Sequence, residues 1–290
     1  MKRKNGLLKK WAFIGMLAIC PFFSFCQPIK KVEKRTIKVA MIQMNVVGND
    51  VEANLGTAEK MVAKASAAGA QIVILPECMD IGWTHPGSLV NASAIPGGRV
   101  YTRLSQMAVK YKVYVCSGMT ERDGSKVYNA AVLINDSGQL ILKHRKINEL
   151  DIGKVYYATG DRLNVADTKL GRIGVMICAD AATGDHSIPT ALARMGPDII
   201  LSPCAWAVPP GYDNEKEHYG GTWKDAYIPV AQKFGIYIIG VSNVGNMTGG
   251  PWKGWDCIGA SMAVDDKGKI MLQCPFGVNA ETIGYVDCVY

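Results

Sequence analysis

From Thr36 onward the apolar residues of this chain alternate between two periods. "IKVAMIQM" (37–44) is apolar at adjacent as well as alternate positions and rich in β-branched side chains, the pattern of a strand covered on both faces. In the next segment Val51, Leu55, Ala58, Val62 and Ala65 recur at steps of four and three, which predicts a helix with one buried face, stopped by Gly69. "QIVILPE" (71–77) returns to strand, 99–111 reads as helix and "VYVCSGM" (113–119) as strand. Two hairpins follow one scheme, "VYNAAVLINDSGQLILKHRK" turning at Asp136-Ser137-Gly138 and "CIGASMAVDDKGKIMLQC" turning between Asp265 and Gly268. Between them lie "RIGVMIC" (172–178), a helix near 187–195, "DIILSPCAW" (198–206), a helix near 223–234 and "GIYIIGVSN" (235–243). The glycine-rich "GVSNVGNMTGGP" (240–251) fits neither the dinucleotide nor the P-loop spacing and is expected to be a flexible loop. Helices interleave with strands and no linker divides 37–290, so the pattern calls for a single α/β domain of layered sheets with helices outside.

Composition agrees with a globular body: of 290 residues, 49% are apolar and 20% charged. The net charge of +7 changes meaning once it is located. Residues 1–26 carry Lys2, Arg3, Lys4, Lys9 and Lys10 with no acid, and 27–36 form a short basic linker with Lys30, Lys31, Lys34 and Arg35. From Thr36 on there are 23 basic and 24 acidic side chains, so the folded body has no basic excess to offer nucleic acid. The basic "MKRKNGLLKK" followed by the apolar "WAFIGMLAICPFFSFC" reads as an export signal, too short and interrupted for a spanning helix. Cleavage near Gln27 gives an exported, periplasmic protein; lipid modification at Cys20 or Cys26 gives a membrane-tethered one.

Nine cysteines, with no CxxC pair and no close spacing to the four histidines, point away from a zinc site, and the seven after Cys26 cannot all pair. Most of them sit in apolar runs that bury a thiol quietly. Cys178 has two readings: the small apolar end of "RIGVMIC", or a nucleophile held at a strand's edge.

Three predicted strands end in reactive side chains: Glu77 closes "QIVILPE", Lys146 closes "LILKHRK" and Cys178 closes "RIGVMIC". Taken singly, Glu77 can be a helix cap and Lys146 a surface lysine beside Arg145. Strands buried on both faces, however, deliver their ends to a common edge where loops form a pocket. A carboxylate, an ammonium and a thiol there supply a base, an anion-stabilising charge and a nucleophile for acyl transfer.

With "LPE" at Glu77, "HRK" at Lys146 and "GVMICAD" at Cys178, together with "YNAAVLINDSG", "SPCAW" and "GASMAVDDKG", the chain resembles the nitrilase superfamily of carbon–nitrogen hydrolases over nearly all of 37–290. The resemblance implies a four-layer α-β-β-α sandwich that pairs into a homodimer or higher homo-oligomer. It also implies a Glu77-Lys146-Cys178 triad that needs no cofactor and no metal. In that scheme Glu77 is the base, while Lys146 and a backbone N–H just beyond Cys178 hold the developing anion, and the lysine favours the thiolate.

Two positions depart from the family pattern. Many members place an aromatic residue directly after the nucleophile, where this chain has Ala179, so the pocket wall there must differ. Many also carry a second glutamate after the lysine, roughly where this chain has Gly153; Glu149 is the nearest substitute. Among the loop tryptophans Trp83, Trp206, Trp252 and Trp255, Trp206 is the strongest pocket candidate because it follows a buried strand. The sequence thus leads to an exported thiol amidohydrolase for a small linear amide or N-carbamoyl compound. Nitrile hydrolysis by the same triad is the enzymatic alternative, and a non-catalytic binding or assembly protein on the same fold is the alternative from another class.

Overall fold

Along residues 37–42 successive side chains enter different cores: Val39 and Met41 pack with Ile72, Ile74 and Ile173, whereas Ala40 and Ile42 pack with Leu55, Val62 and Leu104. This is the two-faced burial expected of the run, and it sets the layering of the computed structural model, which describes residues 34–290. The leader, with the cleavage and lipidation expected at Cys20, Cys26 and Gln27, lies outside the described residues.

The first half contains β1 (Thr36–Gln43), α1 (Val51–Ala67), β2 (Ile72–Leu75), α2 (Ser88–Asn91), α3 (Arg99–Tyr111), β3 (Tyr114–Asp123), β4 (Lys126–Ile134) and β5 (Leu140–Arg145). The second contains β6 (Val165–Thr168), β7 (Gly171–Val175), α4 (Ser187–Arg194), β8 (Ile199–Cys204), β9 (Ala207–Val208), α5 (Gly221–Phe234) and β10 (Tyr237–Ser242). It ends with β11 (Val244–Asn246), β12 (Asp256–Ile258), β13 (Met262–Val264), β14 (Ile270–Gln273) and β15 (Thr282–Val289).

Two six-stranded mixed sheets result, ordered β15-β1-β2-β3-β4-β5 and β14-β13-β10-β8-β7-β6, with a small sheet β11-β12-β9 beside them. Each large sheet has three parallel central strands, β1-β2-β3 and β7-β8-β10, flanked by antiparallel ones. The sheets face each other across the core that holds Met41, Ile74, Val175, Leu201 and Ile239. Helices α1 and α3 cover the outer face of the first sheet through Leu55, Val62, Val100 and Leu104. Helices α4 and α5 cover the second through Leu192, Tyr227 and Val230. The architecture is an α-β-β-α sandwich.

Two expectations about local structure are corrected. The strand through "RIGVMIC" ends at Val175, and Cys178 begins a single 3-10 turn spanning Cys178–Asp180. The stretch "GVSNVGN" is not a loop: it belongs to β10 and β11 and is nearly all buried. Its Gly245 serves close packing rather than loop mobility, a Cβ there meeting Asn45 Oδ1 at 2.2 Å.

Candidate active site

At one edge of the sandwich the two sheets approach within hydrogen-bonding distance, the Glu77 N–H donating to the Cys204 carbonyl at 3.1 Å. Glu77 lies two residues beyond β2, and no helix follows for it to cap. Gly118 on β3 lets this segment pass close by, because a Cβ there would sit 2.5 Å from Glu77 Cα. The carboxylate is buried. Its Oε1 accepts from Lys146 Nζ at 2.7 Å and from Asn129 Nδ2 at 2.6 Å, while Oε2 is buried without a protein partner.

Lys146 comes immediately after β5, whose alternation turns Arg145 outward to Glu121 and the Tyr128 ring and sends Lys146 inward. It is 2% exposed, which excludes the surface-lysine reading. Besides Glu77, it reaches Glu149 Oε1 at 3.3 Å and lies 5.3 Å from the Trp83 ring centre. Glu149 is buried as well: Oε1 also accepts from Trp83 Nε1 at 3.2 Å, and Oε2 from Asn129 Nδ2 at 3.1 Å. A Cβ at Gly153 would lie 2.4 Å from Glu149 Oε1, so the Glu149 carboxylate fills the space beside residue 153.

Cys178 sits in the left-handed region at φ 45°, a conformation that costs a side-chain-bearing residue of the order of 1–3 kcal/mol and needs its surroundings to hold it. The hold comes from Asp180. Its carboxylate accepts from the N–H of Ile177 at 2.9 Å, of Ile147 at 3.0 Å and of Asn148 at 2.8 Å, and lies 2.8 Å from His144 Nε2. Asn148 Nδ2 adds a bond to the Ala179 carbonyl at 2.6 Å. One buried carboxylate therefore ties the residues flanking Cys178 to those flanking Lys146. All seven described cysteines are free.

Glu77, Lys146, Cys178, Ala179 and Trp206 line one cavity of about 210 Å³, with Glu149 behind Lys146 and Trp83. A larger cleft of about 410 Å³ between Asn45–Val47 and Val244–Asn246 holds no thiol. The electrostatics depart from one expectation. Burial pushes the Cys178 thiol well above its ordinary range, its contact with Cys204 and the Glu77 charge add to this, and Lys146 opposes them without prevailing. The lysine is shared by two carboxylates, and burial decides the state of the thiol. Burial likewise raises Glu77, with Lys146 pulling it down and Glu149 pushing it up. For Lys146 burial works against the charge, but Glu77, Glu149 and Cys178 outweigh it, and the ammonium is retained far above its usual range. The resting site holds a neutral thiol beside a carboxylate of raised proton affinity.

Three contributors escaped the sequence reading. Asn129, which donates to both carboxylates, is a polar residue inside the otherwise apolar "VYNAAVLI" of β4, a mismatch that marks a functional or bonded group. Trp223 on α5 stacks on Trp206 with centroids 4.6 Å apart and planes at 18°, and Tyr219 packs 6.2 Å from Trp206. Their signal was the aromatic cluster at the start of α5. Of the loop tryptophans, Trp83, Trp206 and Trp252 line the cavity, and Trp255 stacks behind Trp252 at 4.1 Å.

A buried thiol on a tight turn, a carboxylate with one free oxygen and a paired ammonium, all at the edge of an α-β-β-α sandwich, define a cysteine-dependent hydrolase type of site. The family model described as carbon-nitrogen hydrolase matches residues 38–289, and the chain belongs to that family, the nitrilase superfamily. It is 36% identical over 177 residues to a nitrilase from Pyrococcus abyssi, a match covering 60% of this chain and 66% of that protein. Across this and two Nicotiana tabacum relatives the match spans 54–66% of their lengths. Among solved structures, Saccharomyces cerevisiae Nit3, a member of branch 10 of the nitrilase superfamily, superposes with a TM-score of 0.73 at 25% identity over 87% of this chain and 90% of its own. An amidase from Nesterenkonia sp. shares the fold with a TM-score of 0.73 at 19% identity, over 87% and 89% of the two chains.

Proposed function

We propose that this carbon–nitrogen hydrolase is a thiol amidohydrolase that cleaves a small linear amide or N-carbamoyl compound through a thioester on Cys178. The observation that carries the reading is the convergence of Cys178, Glu77 and Lys146 in one cavity, with Glu77 Oε2 buried and unpartnered. Cys178 Sγ attacks the carbonyl carbon as Glu77 takes the thiol proton, and the carbonyl π electrons pass to oxygen, where Lys146 and the Ala179 N–H hold the charge. Collapse expels the amine with the proton from Glu77. Glu77 then deprotonates water, which displaces the thiolate as the acid forms, and the thiolate recovers the proton. Glu149 keeps Lys146 charged and Trp206 bounds the acyl side.

A second reading, nitrile hydrolysis, is favoured by the Pyrococcus abyssi relative's being a nitrilase. In it Sγ adds to the nitrile carbon while the nitrogen takes the proton, and one water converts the thioimidate to thioester and ammonia. A matched pair of amide and nitrile with the same acyl group separates the readings: ammonia and acid from the amide alone support amidohydrolase chemistry, and faster turnover of the nitrile supports the alternative. Ammonia from neither would overturn both. We also propose that the protein works as a homo-oligomer outside the cytoplasm, on the strength of the family resemblance and of the leader in 1–26. Light scattering of the purified protein and amino-terminal sequencing of the native protein test these points, a monomer or a cytosolic chain starting at Met1 being the opposing results.

A further inference from the structure

The walls of the cavity are far more apolar than its catalytic end. Trp206 and Trp223 stack on one side, Trp83 and Trp252 meet edge to face at 5.2 Å, and Ala179 and Ala182 leave room beside the thiol. Two of the polar ring edges are committed, while Trp206 Nε1 is buried without a protein partner. Trp223 Nε1 donates to Tyr219 Oη at 3.0 Å and Trp83 Nε1 to Glu149 Oε1 at 3.2 Å. What remains for a ligand is ring face with a few neutral polar groups, Trp206 Nε1 and the hydroxyls of Thr222 and Tyr219, and no further charge.

Charge is equally restricted. Among the described residues the cavity's charged lining groups are Glu77 and Lys146, and these are paired at 2.7 Å, with Glu149 as a second acid on the same lysine. A substrate carboxylate would enter an apolar-walled site that offers it no unpaired cation and sets it beside two acids sharing one lysine, and burial of an unpaired ion costs several kcal/mol. The size is also informative. An apolar cavity of about 150 Å³ holds a benzene molecule. A space of about 210 Å³ therefore takes one such ring together with an amide or nitrile group.

We propose that the group attached to the scissile carbon is neutral and apolar, an aryl or branched alkyl group no larger than about one ring, held against the Trp206–Trp223 face, and that substrates bearing a carboxylate are excluded. Among the compounds considered for this site, this removes N-carbamoyl compounds that carry a carboxylate and keeps neutral amides and nitriles. The proposal rests on the cavity being the substrate site, and its test is built so that a failure of catalysis does not hide it.

Binding is measured on the Cys178→Ala protein, which cannot turn over, by tryptophan fluorescence and calorimetry with 2-phenylacetamide, isobutyramide, succinamate and its neutral methyl ester, and N-carbamoylglycine. The expected result is saturable binding of phenylacetamide, at least about 100-fold weaker binding of succinamate and N-carbamoylglycine, and partial recovery with the methyl ester. Trp223→Ala should weaken phenylacetamide about 3- to 10-fold, the size of one lost ring-on-ring contact. Trp223→Phe should keep most of the wild-type affinity. Equal or tighter binding of the carboxylates, or no binding of phenylacetamide, would overturn the proposal. In parallel, Glu77→Gln protein, which lacks the base that activates water and so retains an acyl group, is mixed with p-nitrophenyl acetate and weighed intact. An acetyl adduct on Cys178 upholds the nucleophile whatever the binding series gives, and its absence overturns the catalytic reading while leaving the binding result to decide the substrate class.

Discussion

Glu149 and Gly153 are fitted to each other: the Glu149 carboxylate occupies the volume into which a side chain at Gly153 would project, with a Cβ there 2.4 Å from Oε1 and 2.6 Å from Cδ. The space beside residue 153 is thus filled by a carboxylate from four residues earlier, which reaches Lys146, Trp83 and Asn129.

Gly153→Ala is accordingly expected to lose activity without touching the cavity. The new methyl must displace a carboxylate pinned by three side chains, an overpacking cost of about 1–3 kcal/mol. Thermal unfolding and kcat should both fall, and Glu149→Ala in the same background should recover part of the stability while leaving activity low. A fully active Gly153→Ala protein would show that Glu149 is not needed where it lies.

The pH profile offers a second check. Glu77 must be ionised to accept the thiol proton, and burial, with help from Glu149, raises its proton affinity. Activity is then lost as pH falls through that raised value, so the acid limb of kcat/KM should stand above the ordinary glutamate pKa of ~4.3. Removing a neighbouring negative charge stabilises the ionised form, so Glu149→Gln should move the limb to lower pH. An unmoved or raised limb would contradict the coupling.

The triad variants should separate the two halves of the reaction. Cys178→Ala leaves no adduct and no hydrolysis. Glu77→Gln, given a p-nitrophenyl ester whose leaving group needs no protonation, should acylate slowly and then stall, visible as a persistent mass increment. Lys146→Ala should depress acylation by about 10²- to 10³-fold if it supplies one oxyanion contact, and should also lower stability because two buried carboxylates lose their cation. Amide hydrolysis at the wild-type rate by Cys178→Ala protein, or an adduct mapped to another cysteine, would return Cys178 to a packing role.

Asp180 is expected to matter as a clamp. Asp180→Asn exchanges an acceptor of several N–H groups for a side chain that must turn a donor toward some of them, costing about 1.5–3 kcal/mol for each charged bond lost. Crystal structures of the variant should show the Cys178 turn relaxed from its left-handed conformation, with kcat reduced more than KM is changed. Burial works against the Asp180 charge, but the His144 and backbone bonds outweigh it and its pKa is lowered. Its stabilisation is therefore complete above the unfolded value of ~3.9 and is lost as pH falls through the depressed folded value. Wild-type protein should lose stability in that acid window, and Asp180→Asn protein should lose less there. A variant with wild-type stability and an unchanged turn would remove the clamp.

Much of the architecture was legible in the order of residues, for a local reason. Burial on one or both faces of a strand or helix is written as a period, so α3 was placed at 99–111 and the β4–β5 turn at Asp136–Gly138 from pattern alone. Glu77, Lys146 and Cys178 were legible as a set because strands with buried faces bring their ends to one edge. The rest depended on contacts between segments distant in sequence. That Glu149 fills the place beside Gly153, that Asn129 bridges two carboxylates, that Trp223 backs Trp206 and that Asp180 joins the lysine to the cysteine are relations of distance, and no periodicity encodes them. The proton affinity of Cys178 is of the same kind. A thiol near a lysine reads as activated in sequence, but only the packed site reveals that two carboxylates already share that charge and that burial governs the outcome.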